Sequence, residues 1–117
     1  MPHRIGGAKL RIHFGEDIAM GPGKAALLEA IRETGSITAA GKRLGMSYKR
    51  AWNLVDLMNR CFREPLVDTA TGGGGGGGAH LTPFAETVLA RYRAMQRTAD
   101  TALAGDLAAF ARLLKSG

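Results

Sequence analysis

The chain opens with an alternating run. In Ala8-Lys9-Leu10-Arg11-Ile12-His13-Phe14 the apolar Leu10, Ile12 and Phe14 fall on one face and Lys9, Arg11 and His13 on the other. That period of two predicts a half-buried strand. Gly21-Pro22-Gly23 then breaks the chain. From Lys24 to Thr34, Ala26, Leu27, Ala30 and Ile31 recur at helical spacing. Gly35 suits the end of that helix and Ser36 the start of the next. Ile37 to Leu44 predicts a short helix whose Ala39 and Ala40 allow close approach. Gly41 inside it costs about 1 kcal/mol relative to alanine, which calls for a packing or contact reason. Gly45 marks a tight turn, Met46 points inward, and Ser47 caps a longer helix to about Phe62. Its core stripe is Ala51, Val55, Met58 and Phe62.

Pro65 ends that helix, and Leu66 to Thr71 reads as a strand. Seven glycines, Gly72 to Gly78, separate it from Ala79-His80-Leu81. Glycine holds regular structure poorly, so the pattern predicts two strands joined by a mobile tip: a hairpin wing over residues 66–82. Thr82 and Pro83 are a capping residue and a first-turn proline. Apolar positions then recur at Phe84, Val88, Tyr92, Met95, Ala99, Leu103, Leu107, Phe110 and Leu114. Unbroken, this helix would run ~45–50 Å, with Gly105 as a candidate kink. A helix that long overhangs a small domain and implies a partner surface. The expected fold is mainly α with a small β-sheet. It is a winged helix-turn-helix over residues 1–83, followed by a long dimerisation helix over 84–117.

Composition narrows the class. One domain fits 117 residues, and a single cysteine, Cys61, excludes an internal disulfide and suits a reducing compartment. No signal-type or membrane-spanning apolar stretch occurs, so a cytoplasmic bacterial protein is expected. The net charge of +6 points to a polyanion. That charge is concentrated. No acid occurs in the 22 residues from Thr34 to Val55, which carry Lys42, Arg43, Lys49 and Arg50. Phosphates would relieve their mutual repulsion, with counterion release driving association.

Helix, glycine turn and longer helix in this order fit a helix-turn-helix. Ser47, Tyr48, Lys49, Trp52, Asn53 and Asp56 lie on the polar face of the second helix. Lys49 can donate to guanine and Asn53, one turn on, can read adenine. Arg43 and Arg50 suit phosphate contacts. The blander readings are solvated surface for Lys42, Arg43 and Arg50, and core-edge packing for Tyr48 and Trp52.

Glu33 to Ala40, Leu44 to Trp52, Glu64 to Gly73 and Leu81-Thr82-Pro83 together resemble the N-terminal DNA-binding domain of ModE-type molybdate-responsive regulators. These are kin of the LysR-type winged helix-turn-helix. The Ser-Tyr-Lys-x-Ala-Trp run and the glycine-rich wing carry most of that resemblance. It implies a homodimer paired through the long helices, with two recognition helices in successive major grooves of double-stranded DNA and the wing, Thr69 to His80, on flanking DNA. The recognition turn it implies is Ser47, Tyr48, Lys49, Arg50, Trp52 and Asn53. Taken with the basic window and the wing, the expected DNA-contact set is Ser36, Thr38, Lys42, Arg43, Ser47, Tyr48, Lys49, Arg50, Trp52, Asn53, Thr71, Gly73, Gly75 and His80. Nothing in the chain matches the family's molybdate-binding region, so no cofactor is expected and molybdate remains a family association.

Other signals are set aside. The glycines lack a phosphate-loop Gly-Lys-Ser/Thr pattern, although a glycine tip lets backbone N–H groups approach phosphates. Cys61, His3, His13 and His80 lack metal-ligand spacing. Glu16-Asp17 reads as a solvated turn, and Arg91, Arg93 and Arg97 as a solvated helix face. No acid, base or nucleophile constellation suggests an enzyme. The alternative to DNA binding is a winged-helix protein-interaction module using the amphipathic tail.

Overall fold

The computed structural model describes residues 7–70 and 78–115. Its first element is a hairpin, β1 (Ile12–Phe14) and β2 (Asp17–Met20), antiparallel with Phe14 opposite Asp17. Gly15 makes the turn at φ +61°, where a side chain would be strained. Two expectations change here. Only the last three residues of the alternating run are strand, and Phe14 is exposed because the turn carries it to the hairpin tip. Asp17, expected in a loop with Glu16, starts a strand that buries Ala19 and Met20.

Helix α1 (Pro22–Thr34) begins two residues earlier than the glycine-proline break suggested. Pro22 occupies the first turn, where its missing N–H costs nothing. Gly35, at φ +70°, ends α1, and its N–H bonds Ile31 O at 2.8 Å. Helix α2 (Ile37–Arg43) and helix α3 (Tyr48–Cys61) follow within one residue of their expected bounds. Ser36, Ser47 and Thr82 cap α2, α3 and the last helix, accepting from Ala39 N, Arg50 N and Ala85 N.

The wing strands are β3 (Val67–Ala70) and β4 (Gly78–Leu81), paired antiparallel with Val67 opposite Leu81. They form a sheet separate from β1–β2. Asn59 on α3 fixes the approach to β3. Its Oδ1 accepts from Leu66 N and Val67 N, and its Nδ2 donates to Val67 O. On the other side, Ala79 N donates to Gly35 O at 2.8 Å. Of the expected glycine tip, Gly78 instead begins β4, paired with Ala70, while Gly72 to Gly77, and Thr71 expected at the end of the first wing strand, lie outside the described residues.

The last helix, α4 (Pro83–Ala111), is continuous through Gly105. At 29 residues it is about 44 Å long. Its buried side is Ala85, Leu89 and Tyr92, while Phe84 and Val88 only edge the core. The apolar stripe read from the sequence is thus rotated relative to the face that packs. Beyond Tyr92 it turns outward, leaving Met95, Phe110, Leu113 and Leu114 exposed. Two Arg–Glu pairs join α1 to α4, Arg32 with Glu86 and Arg93 with Glu29. The Arg32 guanidinium holds the Glu86 carboxyl below its usual range. Both residues are half exposed, so the pair contributes little to stability.

α2 crosses α3 at Gly41. A Cβ there would sit 2.7 Å from the Ala51 Cβ, inside any tolerable contact. Gly41→Ala gains up to about 1 kcal/mol of helix propensity but overpacks the crossing by about 1–3 kcal/mol. A lower midpoint in thermal and urea unfolding is expected; an unchanged or raised midpoint would contradict this packing.

Candidate nucleic-acid interface

The interface is built from the α2–α3 turn outward. Leu44 N bonds back to Ala40 O and Gly41 O, Gly45 N to Lys42 O, and Met46 N to Gly41 O at 2.8 Å. Gly45 takes φ +73°, reversing the chain in a conformation that disfavours side chains. Met46 packs inward as the pattern predicted. Ser47 then accepts from Arg50 N at 3.1 Å, which starts α3 with no acid in its first turn. The amino end of α3 is therefore electropositive through its free N–H groups. With Ala51, Val55 and Met58 buried, the opposite face must be solvent-facing.

Ser47, Lys49, Arg50 and Asn53 are all exposed and share one surface concavity of about 520 Å³. Arg60 from the far end of α3 lines it too, and its Nε donates to Asp56 O. Lys49, Arg50 and Lys42 have no ion pair among the described residues. Arg43 does: it pairs with Glu33, which α1 brings across from just outside the acid-free window. The window is thus free of acids in sequence, but one of its four cations is matched in space. Thr38 is exposed on α2, and the Ser36 hydroxyl is engaged as a cap.

The aromatics divide. Tyr48 is 64% exposed, and its ring stands 6.0 Å from that of Trp52 at a 47° tilt. Trp52 is half-buried against the core, and its Nε1 is sealed from solvent without a partner among the described residues. Of the two sequence readings of Trp52, the core-edge one describes its position. In the wing, His80 is exposed with Nε2 3.8 Å from Asp68 Oδ2. Thr71, Gly73 and Gly75 lie outside the described residues.

Lys24 was missed as part of this surface because the sequence offered it only as the start of a helix, far from Arg50 along the chain. Burial pulls its ammonium below the usual value, and Arg50 and Arg11 push the same way against Cys61 and Asp17. Asn59 was also missed; its role is internal. Among the described residues no cluster of three His, Cys, Asp or Glu is placed to hold a metal ion. No helix among them is long and apolar enough to cross a membrane.

Residues 24–86, from the first turn of α1 to that of α4, match the bacterial regulatory helix-turn-helix proteins of the lysR family. The chain belongs to that family. It is a family of regulators, not of enzymes. This lysR-family chain is also similar to curated ModE and Mop proteins. The molybdenum-pterin-binding protein MopB of Rhodobacter capsulatus is 49% identical over 77 residues, which are 66% of this chain and 28% of that protein. The molybdenum transport protein ModE of Azotobacter vinelandii is 37% identical over 120 aligned residues, 93% of this chain and 44% of its own. The DNA-binding transcriptional dual regulator ModE of Escherichia coli K12 is 37% identical over 71 residues, 61% of this chain and 27% of its own. The chain spans less than half the length of each of these relatives. The likeness agrees with a ModE-type N-terminal helix-turn-helix domain.

Ser47→Ala removes the acceptor for Arg50 N and should lower folding stability by about 1 kcal/mol, read from urea unfolding. Ser47→Asp keeps a capping oxygen and should hold the wild-type midpoint. Equal losses in both variants would mean that the hydroxyl serves something other than the cap.

Proposed function

We propose that the chain is a sequence-specific DNA-binding transcriptional regulator. It acts as a homodimer on double-stranded DNA, through the helix starting at Ser47 and the glycine-rich wing. The observation that carries the reading is the outward first turn of α3, with Lys49, Arg50 and Asn53 exposed around one concavity and its positive end uncapped by acid. A major groove admits a helix presented this way.

In this reading Lys49 and Asn53 meet base edges. Lys42, Arg50 and Tyr48 hold the backbone, with Ser36, Thr38 and Ser47 on helix amino ends beside it. Arg43 is divided between Glu33 and DNA, and Trp52 supports Tyr48 from the core side. The wing reaches flanking DNA through His80 and the tip residues Thr71, Gly73 and Gly75. The exposed Met95 and Phe110 of α4, with Leu113 and Leu114 just beyond its end, supply a protein-contact surface, which the reading assigns to a second copy. Two recognition helices would then address half-sites about 34–36 Å apart. A cytoplasmic location follows from access to DNA. No cofactor is assigned to this chain; molybdenum belongs to the names of its relatives.

The test is a binding titration against a duplex selected from a randomised pool and against random duplex. Lys49→Ala and Asn53→Ala should each weaken the selected complex by about 1–3 kcal/mol. Asn53→Ala should leave random-duplex affinity nearly unchanged, because it removes no charge. Equal losses on both duplexes, or equal wild-type affinity for both, would defeat the specific reading.

A further inference from the structure

Beside the base-reading face of α3 lies a second gathering of cations. A cavity of about 210 Å³ is lined by Arg11 from the N-terminal segment, Lys24 from α1 and Arg50 from α3. No acidic residue lines it. Among the described residues, none of the three cations makes an ion pair or a side-chain hydrogen bond. Three positive side chains from three segments are thus brought around one space, and Asp17 offsets Lys24 only in part from outside the lining. An anion in that space would relieve their mutual repulsion.

The cations are held there by the fold. The Arg11 stem lies on Gly21, where a Cβ would meet its Cγ at 3.4 Å. The neighbouring Leu10 is fixed at both backbone groups by α4. Its N–H donates to Gln96 Oε1 at 3.1 Å, and its carbonyl accepts from the Tyr92 hydroxyl at 2.7 Å. Gln96 Nε2 also donates to Ala8 O. Lys24 sits in the first turn of α1, which has neither an acid nor a capping side chain, and that helix end adds to the same positive field. The three converging side chains carry the site.

Arg50 lines this cavity and also the concavity that holds Ser47, Lys49 and Asn53. The two linings also share Leu54, so the surfaces adjoin. A duplex seated on α3 would therefore run its backbone past the cavity mouth. We propose that Arg11, Lys24 and Arg50 form a clamp for one backbone phosphate of the bound duplex, adjoining the base-reading face. The clamp rests on the DNA-binding reading above. It places two residues outside α2 and α3, Arg11 and Lys24, in the DNA footprint as positioning contacts.

The experiment titrates the full chain with a 30-base-pair duplex selected from a randomised pool, across a potassium chloride series. Wild type, Arg11→Gln, Lys24→Gln and Lys115→Gln are compared, with folding checked by thermal melting. The slope of log affinity against log salt should become shallower in Arg11→Gln and in Lys24→Gln, by up to about 0.9 per protomer, on selected and random duplex alike. Lys115→Gln should keep the wild-type slope. A methylphosphonate scan of the duplex against the wild-type protein needs no variant. Among the neutral linkages that weaken wild-type binding, one in each half-site should cost Lys24→Gln much less.

Wild-type binding with unchanged slopes in both variants overturns the clamp and leaves the DNA reading standing. So does a linkage penalty that is identical in wild type and Lys24→Gln. Calorimetry with inorganic phosphate separates the other source of the same chemistry. Phosphate binding lost in the variants, with duplex slopes unchanged, would make this a free-oxyanion site and overturn the clamp. A wild-type chain that binds no duplex at all overturns the function reading and the clamp together.

Discussion

At the crossing of α2 and α3 there is no room for a side chain at position 41, because the Ala51 methyl already fills that space. The glycine costs α2 some intrinsic helicity. In return α2 and α3 approach closely enough for Met46 N to reach Gly41 O at 2.8 Å and close the turn between them. Gly45 then reverses the chain at φ +73°, and Ser47 starts α3 one residue later than the inward Met46. Once Ala51 is pressed against Gly41, the helical period leaves no freedom in which residues face out. Ala51, Val55 and Met58 go in, and Lys49, Arg50 and Asn53 go out.

The rest of the fold keeps that presentation rigid. Asn59 ties the end of α3 to the start of the wing through three hydrogen bonds. The other wing strand is tied to the α1–α2 corner through Ala79 N and Gly35 O. Tyr92 and Gln96 pin the N-terminal segment to α4. Burial pushes the Tyr92 phenol above its usual range, so its hydroxyl keeps its proton and stays a donor at neutral pH. Through Leu10 those bonds place Arg11 relative to α4.

Much of this was legible from residue pattern. Ser36, Ser47 and Thr82 announced three helix starts, because capping hydroxyls have few competing uses before an apolar run. Gly41 announced a close crossing, because an unforced glycine there would have been an alanine. Other features were hidden for identifiable reasons. β2 has no alternation, since Ala19 and Met20 are buried in succession. The packed side of α4 starts at Ala85, too small to stand out beside Phe84 and Val88. Arg43 looked unopposed because its partner Glu33 is close only after α1 and α2 fold together. The cluster of Arg11, Lys24 and Arg50 spans 40 positions of sequence and exists only in three dimensions.

The central claim is that the first turn of α3 faces outward and enters a DNA groove. Residue-resolved amide hydrogen exchange on the full chain, with and without the selected duplex, tests it most directly. Tyr48 and Lys49 lie in the first turn, where backbone N–H groups have no intrahelical acceptor and exchange fast in the free protein. The account predicts marked slowing at Tyr48 and Lys49 on adding duplex. Unchanged exchange there, with protection confined to the outer surface of α4, would contradict it.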